Sequence, residues 1–191
     1  MADELIAKLK PIVDSISIGD PTLAENYIGP VGNAEGFANY QSFIGQLQDG
    51  TTTIISGAKV LAEGELGKGY FCAPTVAEAA LDHPLWRREM FVPIVMIARV
   101  PDKETAMALA NDTQLGLTAG FYGNEEETEW FFENIEAGVT YANRPQGATT
   151  GAWPGYQPFG GWKGSGNTGK GIASFYYLAQ YMREQSQTSV E

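Results

Sequence analysis

The stretch Ile94-Val-Met-Ile-Ala-Arg-Val100 decides the fold class of this 191-residue chain. Its apolar side chains follow one another almost without alternation, which is typical of a β-strand that is buried on both faces. Such strands belong to parallel sheets, whose connecting helices cover both faces of the sheet. The run therefore predicts an α/β protein, with helices and further strands on either side of it.

The periodicity outside that run alternates between helix and strand. Short β-branched or apolar segments predict strands over residues 53–56, 70–76, 115–122 and 139–142. Helical spacing predicts helices over residues 3–13, 34–47, 103–111, 125–135 and 172–180. Alternation at this scale predicts a three-layer αβα arrangement with a mainly parallel sheet. We expect one α/β region over residues 1–180, followed by a polar tail at 181–191.

Charge and composition exclude several classes of partner. The chain has 12 Lys and Arg against 23 Asp and Glu, a formal charge of -11, which repels nucleic-acid phosphates and anionic lipid. Its apolar runs fall short of the ~18 residues that a membrane span needs, and its first residues are acidic where a secretory signal is basic. We therefore expect a cytoplasmic protein without nucleic-acid or membrane partners. With one cysteine, Cys72, and one histidine, His83, it has neither an intrachain disulfide nor a His/Cys metal site.

Four segments follow one another in an order and spacing that resemble the aldehyde dehydrogenase superfamily. They are Gly69-Tyr-Phe-Cys-Ala-Pro-Thr-Val76, Arg88-Glu-Met-Phe-Val-Pro93, Ala108-Leu-Ala-Asn-Asp-Thr113 with Gly116-Leu-Thr-Ala-Gly120, and Gln157-Pro-Phe-Gly-Gly-Trp-Lys-Gly-Ser-Gly166. The loop Asn143-Arg-Pro-Gln-Gly-Ala-Thr-Thr-Gly-Ala152 resembles the one that holds the substrate α-carboxylate in glutamate-semialdehyde (1-pyrroline-5-carboxylate) dehydrogenases. The chain is thus similar to the carboxy-terminal, catalytic-domain part of these enzymes.

The resemblance implies NAD- or NADP-dependent oxidation of a small aldehyde that bears an α-carboxylate. In the family, the cofactor domain, the oxyanion asparagine, the general-base glutamate and the cysteine nucleophile lie upstream of the matched region. We therefore expect no catalytic residue here, weak or no cofactor binding by the chain alone, and a partner chain that carries the missing parts. The alternatives are a non-enzymatic homologue acting in binding or assembly, and an independent phosphate binder.

The resemblance also assigns binding residues. Glu89 stands where the family's glutamate bonds the nicotinamide ribose, and an ionised carboxylate accepts both hydrogens of a diol. Phe91 would pack beside the nicotinamide, although Val92 follows it where the family usually has glycine. Gly151 and Ala152 would receive the substrate carboxylate on their backbone N–H groups. Phe159 would form an aromatic wall of the aldehyde channel.

Three other features favour a structural interpretation. Cys72 matches a strand position of the family, not its nucleophile, and is expected to be a buried structural cysteine. His83, before a proline, is expected in a turn or at the surface. Residues 164–170, Gly-Ser-Gly-Asn-Thr-Gly-Lys, satisfy both G-x-G-x-x-G and most of a phosphate-binding P-loop. However, residue 171 is glycine, not Ser or Thr, so we interpret the segment as turns at the rim of a site.

The tail at 181–191 generates a prediction about assembly, because it resembles the family's last strand, which joins an oligomerisation sheet. An unpaired strand edge seeks another edge. We expect light scattering to show a dimer or larger, and a chain ending at residue 180 to give a smaller particle. An unchanged number of protomers after this deletion would place the interface elsewhere.

Overall fold

The computed structural model describes residues 1–145, 157–166, 170–172 and 174–191. The chain forms two compact units, Met1–Arg99 and Val100–Glu191, and the region predicted over residues 1–180 spans both. Each unit combines helices with short strands, so the predicted α/β class is confirmed. Gly151 and Ala152 lie outside the described residues.

The first unit is built on a three-stranded sheet. Its elements are α1 (Ala2–Asp14), α2 (Ala34–Leu47), β1 (Thr53–Ser56), a 3-10 helix at Gly64–Lys68, β2 (Thr75–Glu78), a 3-10 helix at Pro84–Arg87, and β3 (Ile94–Ile97). The strand order is β1-β2-β3, and β2 pairs antiparallel with β1 and parallel with β3. The apolar run that predicted the fold class thus forms a parallel strand, as expected.

The second unit contains two small sheets. Its elements are α3 (Lys103–Asn111), β4 (Leu115–Gly116), β5 (Thr118–Phe121), α4 (Glu125–Asn134), β6 (Val139–Ala142), β7 (Trp162–Lys163) and a 3-10 helix at Leu178–Tyr181. Strands β5 and β6 pair in parallel, whereas β4 and β7 pair antiparallel. The segment predicted as one strand over residues 115–122 is divided into β4 and β5.

Side-chain caps begin helices α3 and α4. Asp102 accepts a hydrogen bond from the Thr105 N–H at 2.7 Å and so caps α3, as its position predicted. At α4, the Asn124 side chain accepts from the Glu127 N–H while the Glu127 carboxylate accepts from the Asn124 N–H. This capping box, with three glutamates in the first turn, explains the acidic start of α4.

A polar lock lies inside the core of the first unit. The Tyr40 hydroxyl of α2 lies 2.6 Å from the Ala73 carbonyl oxygen and 2.8 Å from the Thr75 hydroxyl oxygen. The Thr75 hydroxyl in turn accepts from the Ala58 N–H at 2.9 Å. Ala58 has a φ of 54°, a left-handed conformation that side chains usually avoid. The lock therefore ties α2, the turn after β1 and the start of β2 together.

An apolar cluster surrounds the lock. Its buried members are Tyr40, Phe43, Leu47, Cys72, Ala77, Leu85 and Ile94. Three of them come from α2 and one, Ile94, begins β3. The other three lie between residues 72 and 85. The amphipathic face predicted for residues 34–47 is thus the face that α2 buries.

Two further predicted elements differ in the structure. The strand expected over residues 70–76 begins only at Thr75, because Pro74 has no N–H to donate, and Cys72 makes a single bridge to Val60. The prediction of a helix over residues 172–180 is wrong. Ile172 and Phe159 exchange N–H···O bonds of 2.8 and 2.9 Å, which hold that backbone extended, and only Leu178–Tyr181 forms a 3-10 turn.

His83 is not at the surface, although it does lie at a turn. It is 8% exposed, and its Nδ1 accepts the Leu85 N–H at 3.2 Å, which caps the 3-10 helix Pro84–Arg87. The tail at 182–191 is exposed and has no assigned strand. Its pairing with another chain stays a prediction. Among the described residues, none of the helices has both the length and the apolar character needed to cross a bilayer.

The lock predicts a specific loss of stability in Tyr40→Phe. The change leaves the Ala73 carbonyl and the Thr75 hydroxyl with one buried partner fewer, so the free energy of unfolding should fall by about 1–3 kcal/mol. Urea denaturation measures it. Tyr27→Phe, at an exposed tyrosine of the same unit, is the matched control and should stay within about 0.5 kcal/mol of wild type. Equal stability of both variants would show that the Tyr40 hydroxyl contributes nothing.

Candidate cofactor and substrate site

The segment at 88–93, which carries Glu89 and Phe91, enters β3 directly from the 3-10 helix Pro84–Arg87. Two of its side chains, Met90 and Val92, pack against the apolar cluster of the first unit. The Arg88 guanidinium lies over the Phe43 ring, 5.2 Å from its centroid. These contacts anchor the segment, which we name the Glu89 shelf.

The two residues assigned to the cofactor point away from that core. Glu89 is exposed, and Phe91 is 88% exposed with a φ of 52°. An aromatic residue in the left-handed region is uncommon and persists only where its surroundings fix it. The backbone just after Phe91 is fixed by two hydrogen bonds. The Ile94 N–H donates to the Val92 carbonyl at 2.7 Å, and the Thr75 N–H donates to the Pro93 carbonyl at 2.9 Å.

Val92 does not disturb the shelf. The family usually has glycine at this position, and a β-branched residue adopts few of the conformations open to glycine. In this chain the positive φ falls on Phe91, not on Val92. Val92 therefore keeps an ordinary backbone conformation while its side chain packs inward. The shelf thus offers a carboxylate that can only accept hydrogen bonds, with an exposed aromatic face two residues further along. This pair fits a ribose diol next to a flat heteroaromatic ring.

Phe159 belongs to the second unit and lines a cavity there. The cavity has a volume of about 310 Å³, and its walls include Pro158, Phe159, Gly161, Ser165 and Lys170. The phenyl ring is half-buried, and its backbone is held by the bridge to Ile172. Phe159 therefore lines a cavity, while its role as a wall of an aldehyde channel stays a prediction. It belongs to a different unit from Glu89 and Phe91.

Close backbone contacts explain the glycines around this cavity. A Cβ added to Gly138 would lie 1.8 Å from the Gly160 carbonyl oxygen, and one added to Gly166 would lie 2.0 Å from that of Gly161. Such distances exclude any side chain without backbone movement. The glycines of residues 157–166 thus pack main chain against main chain, and Gly164-Ser165 forms a turn directly after β7.

Sequence reasoning missed two polar anchors of the glycine-rich segment at 157–166. The Ser165 hydroxyl accepts the Gly116 N–H at 3.1 Å. The Lys163 ammonium lies 2.6 Å from the Glu136 carboxylate and 2.5 Å from the Asn111 carbonyl oxygen. Both join the glycine-rich segment to residues more than twenty positions away, so local pattern gives no signal for them.

Cys72 has the surroundings of a structural residue. It is 2% exposed, and burial raises the pKa of its thiol to about 11. The thiolate is the reactive form, so a raised pKa leaves the sulfur almost wholly protonated near neutral pH. The expectation of a buried, unreactive cysteine agrees with this environment.

Comparison with known proteins identifies the family. The model of the aldehyde dehydrogenase family matches residues 1–186. The chain belongs to the aldehyde dehydrogenase family. The resemblance that the four motifs carried is thereby confirmed.

Several relatives and solved structures share a more specific description. The chain is 34% identical over 186 residues to a 1-pyrroline-5-carboxylate dehydrogenase of Bacillus mycoides (strain KBAB4), covering 96% of this chain and 34% of that protein. It is 32% identical over the same length to 1-pyrroline-5-carboxylate dehydrogenase 1 of Halalkalibacterium halodurans, with the same coverage. A solved 1-pyrroline-5-carboxylate dehydrogenase from Thermus with bound NAD superposes with a TM-score of 0.80 at 34% identity, over 92% of this chain and 32% of that one.

The chain therefore spans about a third of the length of the relatives it matches. Its fold agrees with the corresponding third of a solved dehydrogenase, which supports the α/β assignment independently of the motifs.

The environment of Cys72 predicts slow thiol chemistry in the folded aldehyde dehydrogenase chain. At pH 8 a pKa of about 11 leaves roughly a thousandth of the thiol ionised, against about a quarter for an unfolded cysteine. A disulfide reagent that releases a coloured thiolate should react at least ~100-fold more slowly with the native chain than with the same chain in urea. A native rate within threefold of the unfolded rate would mean that Cys72 is accessible and activated.

Proposed function

We propose that this chain forms the carboxy-terminal catalytic-domain part of an NAD(P)-dependent aldehyde dehydrogenase that converts glutamate semialdehyde to glutamate. The observation that carries the proposal is the Glu89 shelf, where an anchored backbone presents the two residues that the family motif assigns to the nicotinamide ribose and ring. The match of the family over residues 1–186 supports the same assignment.

Within this proposal, the shelf positions the reactive end of the cofactor. The Glu89 carboxylate accepts hydrogen bonds from the ribose hydroxyls, and the Phe91 ring packs beside the nicotinamide. When bound, the cofactor supplies the acceptor for the hydride that leaves the substrate carbon. Because Met90 and Val92 are packed inward, the two contacting residues stay at a fixed separation. NAD bound to the Thermus relative supports this choice of cofactor.

The substrate side rests on the second unit. Phe159 forms an apolar wall of the aldehyde channel, with its cavity beside it. Gly151 and Ala152, outside the described residues, would receive the α-carboxylate on backbone N–H groups. The names of the Bacillus and Halalkalibacterium relatives support a substrate of the 1-pyrroline-5-carboxylate or glutamate-semialdehyde class.

The remaining machinery lies outside residues 1–191. The reaction needs a thiolate beside an oxyanion donor, and buried Cys72 supplies neither. We therefore assign the nucleophile, the general base and the cofactor domain to polypeptide outside residues 1–191, and expect the assembled protein to be oligomeric. The chain alone is expected to bind NAD or NADP more weakly than about 10 μM, roughly -7 kcal/mol, because the shelf contacts only one end of the dinucleotide.

Turnover in a reconstituted mixture tests the proposal. The chain is combined with the Bacillus mycoides relative from which the matching third has been removed, and NAD(P)H formation from glutamate semialdehyde is followed at 340 nm. We expect no turnover by the chain alone, turnover by the mixture, and a loss of ~tenfold or more in Glu89→Ala, because a charge-assisted hydrogen-bond pair is worth about 1.5–3 kcal/mol.

Two controls make the result specific. Glu63→Ala removes an exposed glutamate of the same unit away from the shelf and should leave turnover unchanged. Cys72→Ser should leave it unchanged as well. Cofactor-dependent turnover by the purified chain alone that disappears in Cys72→Ser would overturn the proposal, and an inactive mixture would favour a non-enzymatic role in binding or assembly.

A further inference from the structure

One helix, α2, is tied to both ends of the Glu89 shelf. At the carboxyl end of the shelf, the Pro93 carbonyl accepts from the Thr75 N–H at 2.9 Å. The Thr75 hydroxyl in turn lies 2.8 Å from the Tyr40 hydroxyl of α2. At the amino end, the Arg88 side chain lies against the same helix. The chain between these two ends carries the residues assigned to the cofactor, so α2 contributes to their placement.

The side chains on either side of Glu89 are turned toward the core. Arg88 lies over Phe43 of α2, with its guanidinium carbon 5.2 Å from the ring centroid, and Met90 packs against the apolar cluster. The backbone at Arg88 is extended, with φ -119° and ψ 128°, and extended chain directs neighbouring side chains to opposite sides. Glu89 accordingly points outward and is exposed.

A long cationic side chain suits this position at the rim of the core. The Phe43 ring is 2% exposed, whereas Arg88 is an exposed residue. Arginine can cover an apolar ring with its stem and its planar group while its charge stays in water. The guanidinium is also attracted by the electrons of the ring face. The contact thus fixes a surface side chain to a buried one.

We propose that Arg88 is a positioning residue for the cofactor, because its contact with Phe43 holds the amino end of the shelf and so sets the place of the Glu89 carboxylate. This inference rests on the proposed function, in which that carboxylate bonds the nicotinamide ribose. The Arg88 N–H also donates to the Leu85 carbonyl at 3.2 Å. That backbone bond is available to every side-chain variant, so the variants report on the guanidinium alone.

The alternative is that Arg88 only covers the core. A side chain in that role contributes to the free energy of unfolding but leaves the order of Glu89 and the affinity for the cofactor unchanged. Two variants separate the roles. Arg88→Met keeps a long unbranched apolar stem without the charge, and Arg88→Lys keeps both a long stem and a charge.

Backbone order in the chain alone gives the first test. The order parameter of the Glu89 amide is measured by nitrogen-15 relaxation in the wild type and both variants. We expect it to fall from about 0.85, the value of rigid backbone, to below about 0.7 in Arg88→Met, and to stay near the wild-type value in Arg88→Lys. The Val92 amide, next to the Pro93–Thr75 bond, should stay ordered in all three. An unchanged Glu89 order parameter in Arg88→Met would overturn the inference.

Cofactor kinetics give the second test, in a chimera where these 191 residues replace the matching third of the Bacillus mycoides relative. Arg88→Met should raise the KM for NAD about two- to fivefold, the factor that an exposed cation–π contact contributes, and leave the KM for glutamate semialdehyde unchanged. Arg88→Lys should restore most of the loss. Lys68→Met removes an exposed cation, paired with Glu65 in the same unit, and as the control should change neither KM.

A double-mutant cycle tests whether the contact itself is responsible. Phe43→Leu keeps an apolar side chain but has no ring face, so Arg88→Met should raise the KM for NAD in the wild-type background and not in the Phe43→Leu background. Equal effects in both backgrounds would overturn the role of the contact. Circular dichroism checks that each variant folds, and Arg88→Gln replaces Arg88→Met if the latter does not.

The outcomes separate this inference from the proposed function. If Glu89→Ala raises the KM for NAD while Arg88→Met does not, Glu89 contacts the cofactor without help from Arg88, and the inference fails while the proposed function stands. A folded chimera that neither binds NAD nor turns over would overturn the proposed function. It would also remove Arg88 from any role toward the cofactor, even where the Glu89 order parameter falls in Arg88→Met.

Discussion

The hydrogen bonds of Thr75 hold the first unit together from two directions. Its side-chain hydroxyl meets Tyr40 and the Ala58 N–H inside the core, and its backbone N–H donates to the Pro93 carbonyl at the start of β3. One residue thus connects helix α2, the turn after β1, the central strand β2 and the Glu89 shelf. Because buried polar groups are costly when unpaired, this set of bonds admits one arrangement of the four elements.

The second unit depends on a different constraint, the close approach of main chain to main chain. Gly138, Gly160, Gly161 and Gly166 lie where a Cβ would overlap a neighbouring backbone atom or the Ser165 side chain. The cavity beside Phe159 is lined by these glycines together with the side-chain-bearing residues Phe159, Trp162 and Ile172.

Sequence patterns predicted well wherever the deciding information is local. Helices α2 and α3 begin and end at the predicted residues, because apolar spacing and the Asp102 cap lie within a few residues of each other. The four motifs also assigned Glu89 and Phe91 to the cofactor and Phe159 to the substrate, and these assignments stay predictions. The prediction of a helix over residues 172–180 failed where a distant contact decides, because the bridge between Phe159 and Ile172 pairs the start of that segment with residue 159. The turn expected at His83 is present, but its burial depends on distant neighbours such as Gln46 of α2, which no local pattern indicates. The division into two units likewise follows from contacts that no local pattern encodes.

The left-handed backbone of Phe91 has a consequence for binding strength. A flexible aromatic side chain that orders only when a ligand arrives loses about 0.5–1.5 kcal/mol of the interaction to lost freedom. Here packed neighbours on both sides and the hydrogen bonds of Val92 and Pro93 already fix the backbone around the ring. The backbone therefore needs no further ordering when a ligand binds. The folded chain carries a local strain at Phe91, and under the proposed function a ring packed against this side chain would meet a backbone that is already fixed.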